Sequence, residues 1–108
     1  MGVYLVLREN FESNNIIDEI CISWLRPSSK ELFETFYTMK LETTTRDVYG
    51  GYNYKVSKDS LLNTYKLLTH LKCNKNDMKI KKYMKIFCKK GIDYCNEYNV
   101  DTLSLEYW

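Results

Sequence analysis

With 108 residues, 44% of them apolar, the chain has material for one modest hydrophobic core and no room for a second domain. The formal charge is only +2 but unevenly spread, with five bases and eight acids in residues 1–54 and eleven bases and six acids in residues 55–108, so the molecule is a dipole. The longest apolar runs, residues 3–7 among them, fall far short of the roughly 20 residues that a membrane-spanning helix needs, which excludes a membrane partner from the expectation.

Residues 3–8 are apolar on both faces, as in a well-covered first strand. The opening Met1-Gly2-Val3-Tyr4-Leu5 has neither a basic leader region nor a small-residue cleavage site, and no Ser or Thr follows at the sixth position, so neither secretion nor myristoylation is expected. After the polar residues 10–15, Ile20, Ile22 and Trp24 alternate with Cys21, Ser23 and Leu25, predicting a second strand bounded by Pro27, with a helix as the competing pattern. Glu9 with Glu12 and Asp18 with Glu19 then fall in or beside a loop, as solvated charge that also suits a basic partner. Ser28 and Glu31 have the spacing of a capping box, and Leu32, Phe33, Phe36 and Met39 line one side of a helix over about residues 29–40.

Residues 41–48 are rich in threonine, and Gly50-Gly51 between Tyr49 and Tyr52 supplies the positive φ of a two-residue turn, which predicts a hairpin over about residues 43–56. Tyr52, Tyr54 and Val56 share one face of its second strand. Ser57 caps the next helix, with Asp59 in the first turn and Leu61, Leu62, Tyr65, Leu68 and Leu71 on the buried side. His70 lies about 180° from Leu61 on that helix and is expected in solvent.

The third helix is expected to begin near Asn76 or Asp77. Wound at about 100° per residue, it gathers Ile80, Tyr83, Met84, Phe87, Tyr94, Cys95 and Tyr98 on one arc, and Lys75, Lys79, Lys82, Lys85 and Lys89 on the opposite arc. Residues 72–90 hold eight lysines against the single acid Asp77. Gly91 sits in the apolar stripe, where it either admits a close neighbour or divides the helix. Residues 102–108 alternate as a last strand, with Leu103, Leu105 and Tyr107 on one side and Ser104, Glu106 and Trp108 on the other.

Cys88 and Cys95, seven apart on one helix, are separated by about 10 Å along its axis, too far for a disulfide. No CxxC occurs, and His70 has no cysteine at zinc spacing. Cys21, Cys73, Cys88 and Cys95 are therefore expected to be reduced thiols in a cytoplasm. His70, the one imidazole, leaves serine and cysteine nucleophiles at most one candidate base, so no catalytic residue, metal or cofactor is assigned.

A one-sided lysine face suits phosphates or an acidic protein surface as well as plain solvent. Base-reading arginines are scarce, at positions 8, 26 and 46 only. Tyr49, Tyr52 and Tyr54 suit either cross-strand packing or a rigid contact loop. The thirteen lysines against three arginines, with abundant Asn, Tyr and Ile, carry the coding bias of an AT-rich bacterium, phage or large virus.

Met1-Gly2-Val3-Tyr4-Leu5, the run Tyr54-Lys55-Val56-Ser57-Lys58-Asp59-Ser60-Leu61 and the closing Glu106-Tyr107-Trp108 resemble small phage and bacterial proteins that open MGLDMYL, carry a YxVSxxDL-like helix start and finish in an aromatic strand ending in Trp. The chain departs from that pattern at Val3, Tyr4 and Ser60. The resemblance implies a phage or mobile-element setting and carries no activity with it.

The expectation is a single α+β domain over residues 1–108, its antiparallel or mixed sheet built from the terminal strands and the Gly50-Gly51 hairpin and covered by two or three helices. Its expected function is that of a non-enzymatic, stoichiometric protein-binding inhibitor of host defence, anti-CRISPR-like by analogy, acting in the host cytoplasm. The expected partner is a host protein or nucleoprotein complex with an acidic surface, met by Lys75, Lys79, Lys82, Lys85, Lys89, Tyr52 and Tyr54. The alternative is a small nucleic-acid-binding module using the same lysine face, and a third class is an enzyme with a pocket that sequence does not reveal.

Overall fold

The computed structural model describes residues 4–10, 13, 15–21, 30–36, 41–46 and 52–107. Within them the order is β1 (Tyr4–Arg8), β2 (Ile16–Cys21), α1 (Lys30–Phe36), β3 (Leu41–Arg46), β4 (Tyr52–Ser57), α2 (Lys58–His70), α3 (Lys75–Tyr98) and β5 (Thr102–Tyr107). The strands form one sheet in the order β2-β1-β5-β4-β3, and all four pairings are antiparallel. The fold is α+β, as the sequence pattern predicts. β5 closes the sheet between two hairpins, with Leu7 opposite Leu105 on one side and Val56 opposite Leu103 on the other.

Alternation along the strands decides which side the helices cover. Leu5, Leu7, Ile20, Val56, Leu103 and Leu105 form one core cluster with Leu32 and Phe36 of α1, Leu61 and Leu68 of α2, and the inner arc of α3. Full burial of one such side chain contributes roughly 1.5–3 kcal/mol. On the sheet's other face Val6, Ser104 and Glu106 are also buried, and Arg8 Nε lies 3.0 Å from Glu106 Oε1. That nitrogen is not aligned for a hydrogen bond, so the contact is ionic.

α3 runs unbroken through Gly91. A Cβ there would lie 2.8 Å from both Leu61 Cδ1 and Leu7 Cδ2, so the glycine lets α3 pack closely on side chains of the sheet and of α2. The helix ends at Asn99, which adopts the left-handed conformation (φ 54°, ψ 47°) that asparagine tolerates better than most residues. At the start of α2 the Ser57 hydroxyl accepts a hydrogen bond from the Ser60 amide at 3.1 Å, as the capping pattern predicts.

Several expectations need correction. The second strand is Ile16–Cys21 rather than a segment starting at Ile20, because pairing with β1 sets its register from Cys21 opposite Tyr4 to Ile16 opposite Arg8. Asp18 and Glu19 therefore sit in a strand and not a loop; β2 is at the sheet edge, where charge is well tolerated. The continuation through Ile22, Trp24 and Leu25, the capping residue Ser28, and Glu12 lie outside the described residues. The first helix covers Lys30–Phe36 of the expected residues 29–40, the remainder lying outside the described residues.

The β3–β4 hairpin forms, but Tyr52 pairs with Arg46 and not with Tyr49. β4 is simultaneously held by β5, with Tyr52 opposite Tyr107 and Ser57 opposite Thr102. The turn itself lies outside the described residues, as do Val3, Tyr49 and Trp108. α3 starts slightly early, at Lys75, because Asn74 supplies the cap: its Oδ1 accepts from the Asp77 amide at 3.0 Å. Tyr83 and Tyr98, expected on the core arc, are exposed. Tyr83 falls at the margin of that arc, and Tyr98 is the last residue of a helix about 36 Å long that outruns the strands beneath it.

Candidate functional site

α3 is amphipathic through all 24 residues, and its two arcs have different work. Ile80, Met84, Phe87, Cys88, Gly91, Ile92 and Cys95 are buried. Lysines and a few apolar residues occupy the outer arc. Burial pushes the Cys88 thiol up to about 12 and also raises Cys95, so both stay protonated at neutral pH.

Along the outer arc, beside α2, runs an open groove of about 610 Å³. Lys79, Lys81, Lys82, Lys85 and Lys89 line it, with no acidic residue among the lining side chains. Its apolar part is Tyr65 from α2 with Met78 and Ile86 from α3. The lysines are held in distinct ways. Lys85 Nζ sits 5.2 Å from the Tyr65 ring centre and Lys79 Nζ 5.9 Å from that of Tyr83, both in cation–π range. Lys81 Nζ donates to the Leu71 carbonyl at 2.9 Å, tying α3 to the end of α2. Lys89 Nζ donates to Asp93 Oδ1 at 2.8 Å, one helical turn on; that hydrogen bond, followed by the Asp93 charge, raises the Lys89 pKa and keeps it cationic.

Four of the five lysines expected to form a partner face, Lys79, Lys82, Lys85 and Lys89, thus line one groove, while Lys75 is exposed at the first turn of α3 and does not. Tyr54 is half-buried and packs against the core from β4, apart from this groove. Tyr52 contributes backbone pairing to the sheet. Sequence reasoning missed Tyr65, Met78, Lys81 and Ile86. For Ile86 a signal existed: at about 100° per residue it lies about 180° from Cys95, an isoleucine centred on the outer arc.

A second groove of about 460 Å³ lies on the other flank of α3, against β2. It shares Ile86 with the first and adds Tyr83, Lys90, Asp18 and Glu19. Lys90 Nζ reaches Asp18 Oδ1 at 3.3 Å. His70 is exposed at the end of α2. Among the described residues, no group of three or more His, Cys, Asp or Glu is placed to hold a metal, and no helix is long and apolar enough to cross a membrane.

No protein-family model matches the chain, no curated protein is detectably similar to it, and no solved structure matches its fold.

Proposed function

We propose that this protein works without turnover, as a stoichiometric binder that docks the lysine-lined groove of α3 on an acidic surface of a host protein or nucleoprotein complex. The observation that carries the reading is the composition of that groove: five lysines around Tyr65, Met78 and Ile86, with no acid among them. Cationic side chains around an apolar floor suit a protein surface, where charge steers and orients the encounter while buried apolar contacts hold the complex. The alternative, a nucleic-acid-binding module, finds less support. The Tyr65 and Tyr83 rings are already approached by Lys85 and Lys79, and base stacking would have to displace those ammonium groups.

The phage setting rests on the resemblance and on the lysine-rich, arginine-poor composition, and within it the reading becomes an anti-CRISPR-like inhibitor of host defence acting in the host cytoplasm. Two results test it. A tagged protein should retain a fixed-ratio partner from nuclease-treated host lysate, and His70→Ala should inhibit as well as the parent protein. Loss of the partner on nuclease treatment favours the nucleic-acid module. Loss of activity in a normally folded His70→Ala variant contradicts action without turnover.

A further inference from the structure

The groove accounts for the lysines of α3 but not for the order of charge along its outer arc. Every base of the helix lies at or before Lys90, and the last two turns carry the exposed acids Asp93 and Glu97. Lys75 stands in the first turn and Glu97 in the last, while the first-turn acid Asp77 is buried. The exposed charges thus run against the helix macrodipole, which favours acids at the start and bases at the end, so they do not serve the stability of α3 itself. Their placement is also symmetric about Ile86. Lys79 and Asp93 each lie seven positions from it and Lys75 and Glu97 each eleven, and at about 100° per residue all four fall within about 20° of its direction. All four are exposed, Ile86 is 38% exposed, and open grooves flank α3 on either side, so the stripe stands as a ridge.

We propose that α3 is the seam of a homodimer, in which a second copy of this chain packs its α3 antiparallel on the first about a two-fold axis at Ile86. Symmetry sets the register: Ile86 meets Ile86 of the second copy, Lys79 meets Asp93, and Lys75 meets Glu97, each ion pair occurring twice. Spacings of three and four residues along Lys75, Lys79, Lys82 and Ile86 keep this stripe on the seam of two helices crossing at about 20°. Asp93 holds Lys89 through one carboxylate oxygen and has a second for Lys79 of the second copy; the Lys89–Asp93 pair is itself more than half exposed, and such pairs are weak. A uniformly acidic partner lying on this ridge would set negative charge against Asp93 and Glu97, whereas a second copy brings base to acid at both ends. The two-fold puts the α2 flanks of both helices on one side of the seam and the β2 flanks on the other. On the β2 side Tyr83 meets Lys90 of the second copy, a cation–π arrangement. On the α2 side the two lysine grooves become neighbours, and Lys82 approaches Lys89 of the second copy. That like-charge approach makes the dimer weak, with a Kd on the order of 0.1 mM. The inference stands apart from the protein-binding reading, which needs only one groove.

Sedimentation equilibrium of the intact protein at up to about 0.5 mM should show monomer and dimer in exchange. Asp93→Lys with Glu97→Lys sets base against base at both ends and should weaken the dimer by roughly tenfold or more. Ile86→Asp, which puts two carboxylates on the axis, should do the same, and both variants should melt within a few degrees of the parent. Reversing all four residues, Lys75→Glu, Lys79→Glu, Asp93→Lys and Glu97→Lys, keeps the net charge and re-forms every pair, so that chain should dimerise within about threefold of the parent. Labelled for fluorescence transfer, it and the parent should each pair with themselves and not with each other, because a mixed antiparallel pair sets base on base and acid on acid. The proposal is overturned if the parent is monomeric at that concentration, if the Asp93→Lys, Glu97→Lys variant dimerises as well as the parent, if the four-residue reversal is monomeric, or if the reversal pairs with the parent. The double variant keeps every groove lysine and should still capture the lysate partner, so sedimentation reads the failure of the dimer and capture reads the failure of the protein-binding reading in one protein.

Discussion

The two arcs of α3 are made from one continuous stretch of chain and answer to different constraints. On the inner arc the apolar positions are set by shape: Phe87 meets Phe36 edge-on at 5.7 Å, and Gly91 leaves room for Leu7 and Leu61. On the outer arc the side chains are set by charge and by a few local contacts, and Lys79, Lys82 and Lys89 are exposed. The contrast separates stability from the recognition we propose on this helix: the inner arc stabilises the domain, and the outer arc should be able to change without unfolding it.

The sharpest way to break that contrast is on the inner arc. Phe87→Ala removes a fully buried ring and its edge contact and should destabilise the domain by about 3–5 kcal/mol, measured by urea unfolding. A loss below about 1 kcal/mol would mean that α3 is not the core element described. Gly91→Val should cost about 1–3 kcal/mol, because the new side chain must push Leu7 and Leu61 together out of packed positions. Gly91→Ala should cost less, since the roughly 1 kcal/mol gain in helix propensity offsets part of the overlap. Equal stability of the Val and Ala variants would show that the leucines yield freely.

The inner arc also has a pH-dependent test. The Cys88 thiol is held at about 12 by burial against an ordinary value of 9.0. Above pH 9.0 the unfolded chain releases a proton that the folded chain keeps, so Cys88 leaves stability unchanged below that pH and lowers it as pH rises toward about 12. The slope attributable to Cys88 should approach about 1.4 kcal/mol per pH unit, read as the difference between the parent protein and Cys88→Ala in urea unfolding at stepped pH. Parallel pH curves for the two proteins would place the thiol in contact with solvent.

How much of this was legible in the sequence follows the same division between local and non-local causes. The α3 stripe, the Ser57 cap, the exposed His70 and the β5 alternation are written in spacings of two to four residues and were readable directly. The register of β2 was not, because β1 decides it from the other side of a loop, and the alternation around Ile22 and Trp24 pointed further along the chain. The β3–β4 register was not readable either, because Tyr52 pairs with Arg46 while β4 is also held by β5. At the candidate site the lysine arc was readable, but the groove was not, since Tyr65 comes from a different helix and Lys81 is placed by the end of α2.

The smallest expected effect on stability belongs to the outer arc, and there the central claim is most directly tested. Lys79→Glu with Lys82→Glu changes two exposed side chains and leaves the half-buried Lys85 on Tyr65 undisturbed. Exposed charges of this kind contribute within about 0.5 kcal/mol each, so the melting temperature should stay within a few degrees of the parent. Partner capture from nuclease-treated lysate, measured on the same preparation, should fall by roughly tenfold or more, because each reversal replaces attraction by repulsion at the contact. A double variant that captures its partner as well as the parent, or one that loses capture only because it no longer folds, contradicts the assignment of recognition to the outer arc of α3.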